Sequence, residues 1–199
     1  MPPITRALIV ANVLVYLLQT NGVPLVENFA LWPPASADFA SPGFAPWQLV
    51  TYGFLHGSFS HILFNMFGLY MFGSEVERLF GSRFFIAYYF ASVVVAGLTH
   101  LAITALIGGP PIPVVGASGG IYGLLLAFGV YFPHRTVVLL IPPIPMKART
   151  FVVVFAIVEL AFGVTGTAAG VAHFAHLGGM LGGWLMILWR RRAGPSRHP

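Results

Sequence analysis

The chain has 199 residues, of which 57% are hydrophobic and only 8% carry a charged side chain. Soluble domains carry about a quarter charged residues, so this composition excludes an ordinary water-soluble protein. The chain contains no cysteine, which excludes a disulfide framework, a thiol nucleophile and a thiolate metal site.

Six apolar stretches are long enough to cross a bilayer, since a spanning helix needs roughly 17 to 25 mostly apolar residues. They predict spans at about 5–21, 60–80, 84–107, 117–133, 150–166 and 172–189. The connecting segment at about 22–59 is rich in aromatic residues and proline, which suits a loop at the membrane interface. The predicted fold is all-α, a polytopic membrane protein with six transmembrane helices in a single domain over residues 1–199.

The basic residues orient this bundle in the membrane. All ten Lys and Arg residues fall at the N-terminus, at or just after the end of span two, after span four, or after span six. The loops at about 22–59, 108–116 and 167–171 contain none. Because basic residues mark the cytoplasmic side, both termini are expected in the cytoplasm. Retention at that surface also explains the net charge of +5, so no nucleic-acid partner is predicted.

Polar side chains at the outer ends of three spans form a candidate active site. Span two opens with His61 and Asn65, whose i,i+4 spacing places them on one helix face. Span four begins with Ser118 among glycines, and span six has His176 in its opening turns. The charge pattern puts all three helix starts at the outer side, so we expect these four side chains at a similar depth.

These residue types suit nucleophilic catalysis. A serine hydroxyl becomes a nucleophile when a base takes its proton, and histidine is the usual base. The start of a helix favours negative charge at Ser118, and His61 and Asn65 can donate hydrogen bonds to an oxyanion. Glycines 116 and 119 permit a bent backbone beside the serine, and Gly179 with Gly183 would let span six approach span four.

Further polar residues in the spans are His173, Glu159 and Glu77. His173 and His176 form an H-x-x-H pair, but the H-E-x-x-H signature is absent and no carboxylate lies nearby in sequence, so neither a metal nor a cofactor is predicted. Glu159 lies near the middle of span five, either protonated or paired with a group that the sequence does not identify. Glu77, between Gly73 and Gly81, is interpreted as a structural hydrogen-bond acceptor at the cytoplasmic end of span two.

The motifs together resemble the rhomboid family of intramembrane serine proteases, over about residues 5–190. Residues 56–65 are similar to the family's H-x4-H-x3-N segment, 73–81 to G-x3-E-x3-G, 116–119 to G-x-S-G, and 175–179 to the segment with the catalytic histidine. Trp47 and Gln48 resemble a Trp-Arg pair, with Gln in place of Arg. Four motifs in the right order on the right helices make the resemblance specific.

The resemblance implies a role for each site residue. Ser118 would be the nucleophile and His176 its general base, acting as a dyad. Tyr122 would stack on the His176 ring, and the Ser118 N–H would form the oxyanion hole with His61 and Asn65. The chain's single aspartate, at position 38, lies in the first outer loop and no acidic residue adjoins the histidine in sequence, which agrees with a dyad.

The resemblance also implies partners and a location. The substrates would be transmembrane proteins reached within the lipid bilayer, with helix five and the following loop, residues 163–170, gating their entry. A shortened fourth helix would leave a water-filled cavity above the serine, opening to the outer side. Since no seventh span follows the arginines at 190–192, the chain resembles the six-helix bacterial form, which is expected in the inner membrane.

Three other functions are weighed against this one. A catalytically inactive rhomboid-like protein that binds or escorts transmembrane clients would lack the serine or the histidine, and both are present. A small transporter or channel would need charges along a path, and Glu159 alone hardly builds one. An intramembrane aspartyl protease needs two membrane-embedded aspartates, which the sequence does not contain.

Overall fold

The protein is helical along most of its length. The computed structural model describes residues 1–34, 42–107, 112–139, 142–166 and 172–193. Its α-helices are α1 (Pro3–Thr20), α2 (Leu25–Phe29), α3 (Gln48–Thr51), α4 (Phe59–Gly68), α5 (Ser74–Phe80), α6 (Ser82–Ile107), α7 (Ser118–Tyr131), α8 (Ala148–Thr165) and α9 (His173–Arg192). A short antiparallel pair, β1 (Thr136–Val138) and β2 (Pro145–Lys147), precedes α8.

The second predicted span is not one regular helix. It consists of α4, a π-helical turn over Leu69–Gly73, and α5. The Ser58 side chain starts α4 by accepting a hydrogen bond from the His61 backbone N–H at 3.1 Å, as serine commonly does at a helix N-cap. The segment ends at Gly81, where φ is +74°. The predicted span at about 60–80 is therefore helical throughout, but its hydrogen bonding changes from α-helical to π-helical over Leu69–Gly73.

Among the described residues, three helices, α1, α6 and α8, are long and apolar enough to cross a membrane. Helix α7 is also apolar but has only 14 residues. At 1.5 Å per residue it is about 21 Å long, shorter than a hydrocarbon core of about 30 Å. Large apolar side chains point outward from the bundle, including Leu14 at 57% exposure and Val153 at 56%. An apolar exterior of this kind suits contact with lipid rather than water.

Glycines on α9 set its distance from two neighbours. A Cβ at Gly178 or Gly182 would lie 2.5–3.0 Å from atoms of α6, including Thr99 Oγ1 and Ala91 O. A Cβ at Gly179 would lie 2.0 Å from Gly119 O on α7. The i,i+4 pair Gly178 and Gly182 thus gives α9 a close face toward α6, and Gly179 gives it a close contact with α7.

The Glu77 carboxylate joins the second span to α1. It accepts hydrogen bonds from the backbone N–H groups of Ile4 and Thr5 at 3.0 and 2.7 Å, and from the hydroxyls of Thr5 and Ser82 at 2.7 and 2.8 Å. The first N–H groups of a helix have no intrahelical acceptor, so Glu77 acts as a cap for α1 from a distant part of the chain. A Cβ at Gly73 would lie 3.4 Å from Thr5 Cγ2, which shows how closely the two segments approach.

The connecting segments hold more structure than the sequence predicts. The loop at 22–59 contains α2, α3 and a 3-10 turn, Tyr52–Phe54, and Leu31 forms a β-bridge with Val114. Gln48, only 2% exposed, accepts hydrogen bonds from the N–H groups of Trp32 and Ala45 at 3.1 and 3.2 Å and so holds this loop together. In the proposed gating loop at 163–170, α8 ends at Thr165, and residues 167–171 lie outside the described residues.

Candidate active site

Ser118 and His176 lie within hydrogen-bonding distance of each other. Ser118 is the first residue of α7 and His176 the fourth of α9, and Ser118 Oγ is 2.8 Å from His176 Nε2. The contact between Gly119 and Gly179 allows this approach, because a side chain at Gly179 would overlap the Gly119 carbonyl. A serine and a histidine in this arrangement can exchange a proton.

The backbone before Ser118 needs glycine. Gly116 has φ of +128° and its N–H donates to Tyr52 O at 2.9 Å. A Cβ at this position would lie 2.7 Å from His61 Nε2, so a larger residue would collide with the histidine. The Ser118 N–H that follows is in the first turn of α7, where no intrahelical acceptor exists. Within the described ranges no other backbone group accepts it, so it can donate to a ligand.

His61 and Asn65 bring two further donors to this end of the bundle. His61 Nδ1 accepts a long hydrogen bond, 3.5 Å, from the Gly57 N–H. In a neutral imidazole the proton then sits on Nε2, which faces Gly116. Asn65 is 7% exposed, and within the described ranges its buried Nδ2 has no hydrogen-bond partner. A buried amide without a partner is unusual and indicates a group kept available for another molecule.

Tyr122 lies one turn below Ser118 and stacks on His176. The two rings are 4.3 Å apart between centroids and within 6° of parallel. The Tyr122 hydroxyl donates a hydrogen bond to Glu159 Oε1 on α8. The tyrosine thus restrains the histidine ring through its face while its hydroxyl holds a carboxylate nearby.

An acidic residue beside His176 is the main feature that the sequence analysis missed. Glu159, 7% exposed, places Oε1 3.0 Å from His176 Nδ1 and Oε2 2.6 Å from His173 Nδ1. No carboxylate lies near these histidines along the sequence, but α8 packs directly against α9 and brings Glu159 beside them. The signal that could have paired them is their position along the chain: Glu159 lies about two turns before the end of α8, and the histidines lie in the first turns of α9, so all three are near the same end of the bundle.

The same three residues have a spacing that a metal ion could use. One ligand atom from each of Glu159, His173 and His176 lies within 4.8 Å of the others. Both carboxylate oxygens already contact imidazole nitrogens, so a metal would have to displace the protons between them. The absence of a metal cofactor stays a prediction.

Comparison with known proteins decides the family. The model of the rhomboid domain matches residues 44–193, about three quarters of the chain. The chain belongs to the rhomboid family. Rhomboids are polytopic helical membrane proteins, and the family includes intramembrane proteases.

Three relatives illustrate the similarity of this rhomboid to others. Rhomboid protein 1, mitochondrial, of Saccharomyces cerevisiae is 31% identical over 69% of the chain, and the rhomboid protease GluP of Bacillus subtilis is 30% identical over 69%. The rhomboid protease GlpG of Photorhabdus laumondii is 28% identical over 96% of the chain. The aligned regions cover 40%, 25% and 62% of these relatives, so this rhomboid spans only part of their length.

Proposed function

We propose that this rhomboid is a serine endopeptidase that cleaves peptide bonds in or near the transmembrane segments of other membrane proteins. Ser118 is the nucleophile and His176 the general base. The observation that carries the proposal is the 2.8 Å separation of Ser118 Oγ and His176 Nε2 between two different helices. Hydrogen-bonding reach between nucleophile and base is the geometric requirement for this chemistry.

The reaction uses the surrounding groups in order. His176 Nε2 takes the Ser118 proton as Oγ bonds to the carbonyl carbon of the substrate, and the carbonyl oxygen becomes an oxyanion. The Ser118 N–H, His61 Nε2 and Asn65 Nδ2 donate to that oxygen. The protonated histidine then gives its proton to the leaving amine, and a water activated by the same base hydrolyses the acyl-enzyme.

The proposed setting is a bacterial inner membrane with both termini in the cytoplasm. The described basic residues at Arg135, Lys147 and Arg149 lie around the β-pair, at the end of α7 opposite Ser118. By the distribution of positive charge that end is cytoplasmic, so the site opens toward the outer side. Because α7 is about 9 Å shorter than the hydrocarbon core, Ser118 can lie below the outer surface, within reach of a substrate helix.

Labelling with a fluorophosphonate probe, together with cleavage of a model transmembrane substrate, tests the proposal. Ser118→Ala should lose both labelling and cleavage, and His176→Ala should lose cleavage, while both remain folded in detergent. Ser74→Ala is the matched control, since it removes another buried serine hydroxyl near the cytoplasmic end and should leave both readouts unchanged. Probe labelling that survives Ser118→Ala would refute the assignment, and a folded protein without either activity would favour client binding.

A further inference from the structure

Glu159 is held at three points by ring groups from two other helices. Tyr122 of α7 donates to Oε1, and on α9 the Nδ1 atoms of His173 and His176 lie 2.6 Å from Oε2 and 3.0 Å from Oε1. The side chains of Glu159 and of both histidines are at most 11% exposed. A carboxylate so deep in a helical bundle is costly unless it is paired, which makes its placement informative.

The proton on His176 has only one useful position. To accept the Ser118 proton, Nε2 must present its lone pair, so the neutral ring must carry its hydrogen on Nδ1. Nδ1 is buried and forms no hydrogen bond of good geometry with the described residues, but Glu159 Oε1 lies 3.0 Å away, close enough to accept its proton in a hydrogen bond. A carboxylate beside Nδ1 stabilises this tautomer over the one with the proton on Nε2.

Tyr122 contacts both the imidazole and the carboxylate. Its ring is parallel to the His176 ring and 4.3 Å from it, and its hydroxyl donates to Oε1, the oxygen that lies beside Nδ1. When the imidazole becomes positively charged during catalysis, its attraction for this carboxylate increases.

We propose that Glu159 is a positioning residue for His176, which makes the catalytic group a Ser118–His176–Glu159 triad rather than a dyad. The carboxylate fixes the tautomer and stabilises the imidazolium, and it stays ionised throughout. This inference rests on the proposed function. The competing explanation is purely structural, with Glu159 only tying α8 to α9 through His173.

Glu159→Gln separates these explanations, because it keeps the shape of the side chain and removes its charge. If Glu159 is a triad member, Glu159→Gln lowers kcat by roughly 10²–10⁴-fold with little change in KM, because the imidazolium formed in the transition state is no longer stabilised. The acidic limb of the pH–rate profile should also move to lower pH, since the imidazolium loses its neighbouring negative charge. A purely structural role lowers the melting temperature and the amount of active enzyme without moving the limb.

The profile must be assigned among several titratable groups. Glu159 is faced by Tyr122 from α7 and by His173 and His176 from α9, and His61 of α4 is close enough to interact electrostatically with His176. His173→Gln is therefore measured in parallel, and its acidic limb should stay in place. Glu77→Gln is the matched control, a buried glutamate at the other end of the bundle that should change stability alone.

A measurement on the unmodified protein covers the case in which Glu159→Gln does not fold. The ¹⁵N chemical shifts of His176 can be assigned from the resonances that disappear in His176→Ala. At a pH where the imidazole is neutral, they should show the proton on Nδ1. A proton on Nε2, or a folded Glu159→Gln with unchanged kcat and pH profile, overturns the triad. If wild-type labelling and cleavage do not depend on Ser118, the proposed function itself has failed, which is a separate result.

Discussion

Removing the Glu77 carboxylate tests how the bundle is held together away from the site. Glu77→Ala leaves the N–H groups of Ile4 and Thr5 without their acceptor, and Thr5 is fully buried. An orphaned buried donor costs about 1–3 kcal/mol, and the loss of a helix cap about 0.5–2 kcal/mol. Water can reach the half-buried Ile4, and the Thr5 hydroxyl can rotate to another acceptor. We therefore expect Glu77→Ala to lower the free energy of unfolding by about 2–4 kcal/mol in total.

Thermal unfolding in detergent measures this loss. For a chain of this size each kcal/mol lowers Tm by about 2–4 °C, so Glu77→Ala should melt roughly 5–15 °C below wild type. Glu75→Ala is the matched control, two residues away. Its carboxylate pairs with Arg78 and Arg135, whose side chains are 56% and 54% exposed, and exposed ion pairs contribute only about 0–1 kcal/mol.

Activity measured below the new Tm completes the test. Glu77 lies twelve residues along the same helical segment from Asn65, about 18 Å at 1.5 Å per residue, too far to contact a reacting group. The Glu77→Ala protein should therefore cleave substrate at a near-normal rate while it remains folded. A mutant that melts like wild type, or one that is folded but inactive, would refute this reasoning.

Four further results are expected. Asn65→Ala should lower kcat by roughly 10²–10³-fold if its amide donates to the oxyanion, whereas an effect confined to KM would assign it to substrate binding. Gly179→Ala should abolish cleavage and lower Tm, because its Cβ would lie 2.0 Å from Gly119 O, and wild-type behaviour would mean the helices are further apart. Burial and the nearby charge of His61 lower the pKa of His56 from 6.5 to about 4, so the unfolded chain binds more protons between these values, and stability should fall by up to about 3 kcal/mol as pH drops from 6.5 to 4. His56→Gln should lose that pH dependence of Tm. Treatment with a chelator should leave cleavage unchanged. A loss of activity that a divalent ion restores would show that Glu159, His173 and His176 hold a metal.

The sequence could predict that Ser118 and His176 are neighbours, because each lies at the start of a span and the two spans run in the same direction through the membrane. Both lie at the starts of spans that enter the membrane from the same side, which fixes their depth. The small residues beside them then indicate which helix faces can approach. Both the membrane depth of these residues and the close packing of their helices can be inferred from the sequence pattern. The 2.8 Å contact between Ser118 Oγ and His176 Nε2 agrees with both inferences.

The partner of Glu159 was not predictable in the same way. Helix α8 is apolar almost all round, so its sequence does not specify which face turns toward α9, and in lipid the hydrophobic effect does not choose one. The π-turn at Leu69–Gly73 was also missed, because no proline interrupts the second span and marks a change in its helix. The rotation of each helix about its own axis is set by its tertiary contacts, and the sequence pattern alone does not predict it.

The two buried glutamates show how the partners of a charge determine its use. Glu77 is paired with backbone N–H groups and hydroxyls, which do not titrate in the physiological range, so its environment is constant and its contribution is structural. Glu159 is paired with two imidazoles and a phenol, whose protons can move. Its interaction energy therefore changes when His176 gains a proton, and only an interaction that differs between the ground state and the transition state can accelerate a reaction. That difference is the physical basis for assigning Glu159, and not Glu77, to the catalytic group.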